Sequence, residues 1–450
     1  MIKLKSLLSN FINGYFYPIF IALVVLIGHT FSTEIFSFYV IVISAIIGMF
    51  FCKNDLRFLV SPVLMIVFCV SEKSSNLGAG KLFHSSSLIQ IFIIASLFAI
   101  SLIAYLIIKR KTFNTSSLLK SPMFYAFAIL AIGIAFNGLF VKEGFSFSNF
   151  LYTLAVIGSL FGIFIAFYLT IDFSKDFKKY LVYVLYIASI VVLIEFITLF
   201  LNGQVKYSDG KIIKESVITG WGIWNNIGCM LTMLLPVHFY LASFVKRFGF
   251  VFYFTGIISY LAIALSLSRS SLLVSSILIV ICVIFSCFYG KNKLTNKIIT
   301  LIFILLGIAF ISLYWNKIAT ILNDYLVRGF SDNGRFKIYI TGLFKYFEYP
   351  IFGTGFFSYA THQSGWLPFG YHNTIVQMLA SCGTIGMVAY IYHRYKTIQI
   401  CYKKRSAQNF PLYLCLLGLL LTSLLDVHFF NIYPAFYYSI ILLAIEKADA

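Results

Sequence analysis

Charge is what this sequence has least of. Asp and Glu together number 15 in 450 residues, and all charged residues make up 11% of the chain. An average soluble domain carries roughly a quarter. A soluble protein of this length would need polar surface over two or three domains, and too little is present to supply it. There is no internal repeat, no low-complexity tract and no polar segment of the kind that stays disordered. The eight cysteines, at 52, 69, 229, 282, 287, 382, 401 and 415, form no C-x-x-C pair, so no disulfide framework is implied. The formal net charge is +19. Even so, the basic residues are scattered in small groups between apolar runs, without the dense stripe that marks a nucleic-acid binder.

What the chain does have is apolar length. Hydrophobic residues make up 60% of it, with 50 Phe and 30 Tyr. Runs near 20 residues cross a bilayer as helix. Fourteen such runs occur, at 12–31, 35–52, 58–71, 88–108, 122–140, 149–171, 180–202, 225–244, 250–268, 270–290, 298–315, 375–392, 408–425 and 429–446. The third is short, carries Pro62 and also fits a re-entrant segment. The expected class is an all-α polytopic integral membrane protein of about fourteen transmembrane helices, with one large extracytoplasmic loop. With the N-terminus inside, 22 of the 34 Lys and Arg fall on cytoplasmic segments, 12 fall on outer ones and none is left in a span. That asymmetry orients both termini to the cytoplasm. The first run has no small-residue cleavage site behind it and reads as an uncleaved signal anchor.

Two outer loops exceed what a connection needs, at 203–224 and 316–374, and long loops without a packing duty tend to be functional. The second shows two amphipathic helical patterns, one from Ile318 to Leu326 and one from Phe336 to Phe347. Both suit a membrane surface. Ser331, Asp332 and Asn333 are candidate caps for the second helix, which puts Arg335 in its first turn. Nucleotide chemistry has no support: there is no Walker A loop, no G-x-G-x-x-G, no H-E-x-x-H and no G-x-S-x-G. No metal site and no cofactor is expected. The weak Asp426/His428 pair is the nearest approach to metal-ligand spacing.

Arg269, in SLSRSS, stands at the outer mouth of two runs. It reads either as an interfacial anchor that snorkels or as an anion-binding guanidinium, whose planar fork matches phosphate oxygens. Arg335 adds a predicted helix N-terminus, which also attracts anions. Taken alone it is equally a solvated loop charge. Arg328 and Lys337 are weaker basic neighbours. His372, at the end of the long loop, titrates near neutrality and suits general-base work. Glu195, well inside a run, reads as a structural carboxyl.

These segments, in order, resemble the O-antigen ligase/polymerase superfamily of bacterial membrane glycosyltransferases. The matching pieces are Gly220-Trp221-Gly222-Ile223-Trp224-Asn225-Asn226-Ile227-Gly228, Ser268-Arg269-Ser270, Gly334-Arg335 with Pro350-Ile351-Phe352-Gly353-Thr354-Gly355, and His372-Asn373 with Gly383-Thr384-Ile385-Gly386. The resemblance covers about 215–390. It departs from the family at Asn225, where the family often has Pro. It divides the chain into N-terminal helices 1–202, a catalytic region 203–392 and C-terminal helices 393–450.

The resemblance implies glycan transfer from a polyprenyl-pyrophosphate-linked oligosaccharide at the outer face of the bacterial inner membrane, without metal or nucleotide. Arg269 and Arg335 would hold the pyrophosphate and His372 would activate the acceptor hydroxyl. Arg328, Lys337, Asn226, Asn373 and Asp426 are supporting candidates. The first expectation is an O-antigen polymerase of the Wzy type, extending O-antigen or capsular polysaccharide on lipid-linked repeat units and working with a chain-length regulator and a flippase. A ligase acting on lipid A–core is the alternative. A flippase or other transporter is the alternative from another class, but it would show repeated halves and broken helices around a midplane site.

Overall fold

The computed structural model describes residues 8–52, 55–69, 85–113, 115–142, 146–173, 176–208, 211–213, 216–219, 222–329, 334–356 and 370–448. Over these the chain is an all-α polytopic membrane protein. The helices in order are α1 (Phe16–Phe31), α2 (Glu34–Phe51), α3 (Arg57–Cys69), α4 (Ser85–Lys109), α5 (Pro122–Ala135), α6 (Phe147–Thr170), α7 (Phe177–Leu201), α8 (Trp224–Phe244), α9 (Gly249–Leu265), α10 (Arg269–Phe288), α11 (Lys293–Gly329), α12 (Arg335–Glu348), α13 (Thr374–Lys403), α14 (Phe410–Ser423) and α15 (Ile432–Glu446). All but α12 coincide with the fourteen apolar runs. Among the described residues, seven are long and apolar enough to cross a membrane and seven are shorter apolar helices. α3 is a succession of 3-10, α and 3-10 turns. Phe58, Val60, Phe68 and Cys69 of α3 are fully buried, so this short helix is enclosed by the bundle.

α8 is the axis. Its most apolar 18-residue stretch is 94% buried, whereas none of the corresponding stretch of α11 is. α8 packs against α9, α10 and α14 and also touches α7. Gly228 makes the α8–α10 approach possible: a Cβ there would stand 2.7 Å from Ser271 Oγ and 2.9 Å from Ser268 Cβ. After α7 the chain has two small antiparallel strand pairs, β1 (Tyr207–Ser208) with β2 (Lys211–Ile212) and β3 (Ile218–Thr219) with β4 (Gly222–Ile223). Periodicity over two-residue strands gives no sequence signal.

α13 is two helices in line. At Gly383 the backbone has φ 64° and ψ −161°, a region essentially reserved for glycine. The break orphans carbonyls before it and amides after it. The segment 350–355 supplies both: Thr354 N and Gly355 N donate to Ala380 O and Ser381 O at 2.8 and 2.9 Å. Thr384 N and Ile385 N donate to Pro350 O and Ile351 O at 2.8 and 3.2 Å. The Pro-x-x-Gly-x-Gly and Gly-x-x-Gly pieces of the sequence are thus one backbone clasp.

Three expectations need correction. The apolar run at 298–315 and the first amphipathic pattern follow each other within α11 without a loop, as two helical stretches that meet at Tyr314, whose φ of −117° and ψ of 22° are not helical. The cap of α12 is Gly334 at φ 75°; Ser331, Asp332 and Asn333 lie outside the described residues. Arg394, counted with the cytoplasmic loops, lies inside α13 with its guanidinium against core aromatic rings. The helix runs on to Lys403, past the point where apolar periodicity fades.

Candidate active site

The N-termini of α8, α10, α12, α13 and α15 and the C-termini of α9 and α14 meet at one end of the bundle. At the opposite end Lys178 Nζ bonds Asn409 Oδ1 at 3.1 Å, Lys404 Nζ bonds the Ala448 carbonyl at 2.7 Å, and Asn292 ties down the C-terminal carbonyls of α8. Lysines gather there, whereas the first end holds the candidate residues.

Asp426 is at the centre of that end, in the turn between α14 and α15, with its side chain 10% exposed. Three donors converge on its carboxylate. His372 Nδ1 lies 3.1 Å from Oδ1, the Val427 amide donates to Oδ1 at 2.9 Å, and Asn225 Nδ2 donates to Oδ2 at 3.2 Å. His428 Nε2 stands 4.0 Å from Oδ2. Burial alone would push this carboxyl up. The His372 hydrogen bond, the positive potential of both histidines and the Val427 amide outweigh it and hold the group well below the usual carboxylate range. His428 goes the other way: burial holds it below the ordinary histidine range, against the pull of Asp426.

His372 precedes α13, with its own φ at +50°, a left-handed conformation uncommon outside glycine. Tyr339 of α12 donates to its carbonyl at 3.2 Å. The next residue, Asn373, caps α13 by accepting from Ile375 N and Val376 N, and its Nδ2 donates to Leu424 O at 2.8 Å. With Nδ1 on Asp426, the ring presents Nε2 outward, and the side chain is 27% exposed. This is the arrangement of an oriented general base.

Arg335 is the first residue of α12 and is half-buried. Its Nη1 donates to Leu425 O at 2.7 Å, one of the carbonyls left open where α14 ends. The guanidinium therefore sits one residue from Asp426 in the chain, at a helix N-terminus. Arg269 opens α10 and is half-buried. It is placed through α8: Asn225 touches Asp426, and one turn on, Gly228 meets Ser268 and Ser271.

The supporting candidates separate. Asn373 and Asp426 are in the cluster. Asn226 packs beside Gly222, and it is Asn225 that reaches Asp426. Lys337 is exposed on α12, on the sector of that helix turned away from the cluster. Arg328 lies near the end of α11, and its side chain is outside the described residues. Among the described residues no group of three His, Cys, Asp or Glu side chains is placed to hold a metal ion. Sequence reasoning passed over Asn225 and Tyr339. The only signal for Asn225 was its place in the Asn-x-x-Gly spacing, one position off the residue chosen.

No curated protein matches the chain. Residues 254–391 match the family described as O-antigen ligase; Arg269, Arg335 and His372 lie inside this stretch, while Asn225 and Asp426 lie outside it. The similarity is confined to that segment and supports kinship with the O-antigen ligase/polymerase superfamily, whose members are membrane glycosyltransferase-like proteins.

Proposed function

We propose that the chain is an O-antigen polymerase. In this reading it transfers a growing glycan from its polyprenyl-pyrophosphate carrier to a hydroxyl of a second lipid-linked repeat unit. The observation that carries the reading is the His372–Asp426 contact at 3.1 Å beside the Arg335 guanidinium. His372 Nε2 takes the proton of the acceptor hydroxyl. The oxygen attacks the anomeric carbon, and the bond from that carbon to the pyrophosphate oxygen breaks. The pyrophosphate leaves on its lipid carrying the negative charge. Asp426 stabilises the imidazolium that forms, and Arg335 and Arg269 stabilise the leaving group. Preorganised donors of this kind are typically worth about 2.7–4 kcal/mol each. A single displacement inverts the anomeric centre.

The site faces the periplasm in this reading, because lysines collect at the opposite end of the bundle and basic residues favour the cytoplasmic side. α14 and α15 have 14 and 15 residues, a rise of only about 21–23 Å against a hydrocarbon core of about 30 Å. The Asp426 turn is therefore recessed to the depth at which a lipid-borne pyrophosphate arrives.

Deleting the gene in its host and running the surface glycolipid on a gel tests polymerase against ligase. A polymerase deletion leaves single repeat units on the core. Bare core with long polymer held on the carrier makes the chain a ligase. Lipid-linked single repeats trapped on the cytoplasmic leaflet make it a transporter.

A further inference from the structure

We propose that Arg394 is a positioning residue that clamps the Asp426 turn from beneath. The inference rests on the reading of His372 and Asp426 as a base and its orienting carboxylate.

Arg394 lies in the second half of α13, eleven residues after the Gly383 break. A permanent charge in the interior of a membrane bundle is retained only at a cost, and marks function by default. This one is not explained by ion pairing: among the described residues no carboxylate pairs with it. Its single hydrogen bond runs from Nη1 to Tyr438 Oη at 2.9 Å, and its buried Nε and Nη2 have no partner there. What surrounds it is aromatic. The guanidinium carbon stands 4.1 Å from the Phe429 ring centre, 4.6 Å from Tyr390 and 5.0 Å from Tyr438. A desolvated guanidinium over ring faces is held electrostatically and by stacking.

The three rings come from places that have to be kept in register. Tyr390 is one turn back on α13, and Tyr438 is on α15. Phe429 belongs to the short turn His428–Phe430 that follows Asp426 directly. Phe429 and Tyr438 are fully buried and meet edge to face with ring centres 5.3 Å apart. His372 stands at the N-terminal end of α13. One helix therefore carries the base at one end and, beyond the Gly383 clasp, the cation that grips the carboxylate's turn. The His372–Asp426 distance is set by how that turn is anchored to α13, and Arg394 is an anchor on its buried side. The groups around the pair on its other sides are Arg335, Tyr339, Asn225 and His428.

The test uses the full-length protein in membranes with a lipid-pyrophosphate-linked oligosaccharide as donor. Variants are Arg394→Met, Arg394→Lys, Phe429→Leu, Asp426→Ala, His372→Ala and the Arg394→Met/Asp426→Ala double. A loosened turn lowers kcat by about ten- to hundredfold with donor KM changed by less than about threefold. Lysine keeps the cation and restores part of the rate. The double variant is no slower than Asp426→Ala within about twofold, because with the carboxylate gone no contact is left for Arg394 to position. Phe429→Leu lowers kcat with the same small change in donor KM and carries the test if Arg394→Met does not accumulate. A role confined to stability reduces protein amount and leaves kcat per folded protein unchanged. That result, or an additive double, overturns the proposal. Full activity of His372→Ala would instead remove the base assignment on which it rests.

Discussion

Replacing Asp426 by Asn and by Ala separates two duties of this carboxylate. All three of its close neighbours are donors: His372 Nδ1 and the Val427 amide on Oδ1, and Asn225 Nδ2 on Oδ2. An asparagine has one oxygen to offer. The Val427 amide is fixed backbone, so the oxygen stays at the Oδ1 position and the new NH2 faces Asn225. Asn225 can turn its own amide to meet it. His372 therefore keeps its orientation and its tautomer and loses only the negative charge. A hydrogen bond to a charged group contributes about 1.5–3 kcal/mol, against about 0.5–1.5 for a neutral one. The difference of about 1–1.5 kcal/mol corresponds to roughly a tenfold loss in rate. Alanine removes the acceptor as well and strands three donors, at about 1–3 kcal/mol for each that stays dry. Asp426→Ala is thus expected to lose activity by at least about a hundredfold and to unfold at lower temperature in detergent. The assay is initial rate of glycan transfer, normalised to folded protein. Asp426→Asn as inactive as Asp426→Ala would refute the fixed-oxygen argument, and wild-type activity in Asp426→Ala would refute the dyad.

Gly383→Ala is expected to abolish folded protein: its φ of 64° with ψ −161° is barred to alanine, and the added Cβ overlaps the Ile351 carbonyl. Recovery at wild-type yield from membranes would contradict this. Gly228→Ala forces α8 from α10 at Ser268 and Ser271 and should cost about 1–3 kcal/mol, read as a lower thermal midpoint with transfer activity reduced. His428 is held below the ordinary histidine range by burial. The folded chain therefore refuses a proton that the unfolded chain accepts near pH ~6.5. The stability from its neutral ring is complete above that value and is lost as pH falls through it towards the folded-state value. His428→Gln should flatten the fall of the thermal midpoint between about pH 7.5 and 5, and an unchanged slope would show that His428 does not carry it. Asp426 adds nothing to that slope, because its depressed carboxyl loses its contribution only in far stronger acid.

The spans were legible because the bilayer imposes one rule, apolar length, that every run obeys on its own. The site was legible where a residue type carries its own chemistry: Arg335 and His372 stand out from an apolar chain. Asp426 was visible only as a neighbour of His428, since its pairing with His372 links residues 54 positions apart. Asn225 and Asn226 cannot be told apart by type, and the turn of α8 decides between them. The Gly383 break was invisible in a run that stays apolar across it. The hydrogen bonds that heal the break come from 350–355, a tertiary contact. Arg394 read as an inner-side charge, because nothing local announces three aromatic rings from α13, α15 and the turn between α14 and α15.

The most direct test of the account is transfer by the purified full-length protein in lipid vesicles supplied with a single polyprenyl-pyrophosphate-linked repeat unit and no nucleotide. The account predicts a ladder of lengthened lipid-linked glycans, lost in His372→Ala and in Arg335→Ala while both proteins remain folded. A ladder of undiminished length and amount in either variant, or no extension of the repeat by wild-type protein that transfers it to lipid A–core, would contradict it.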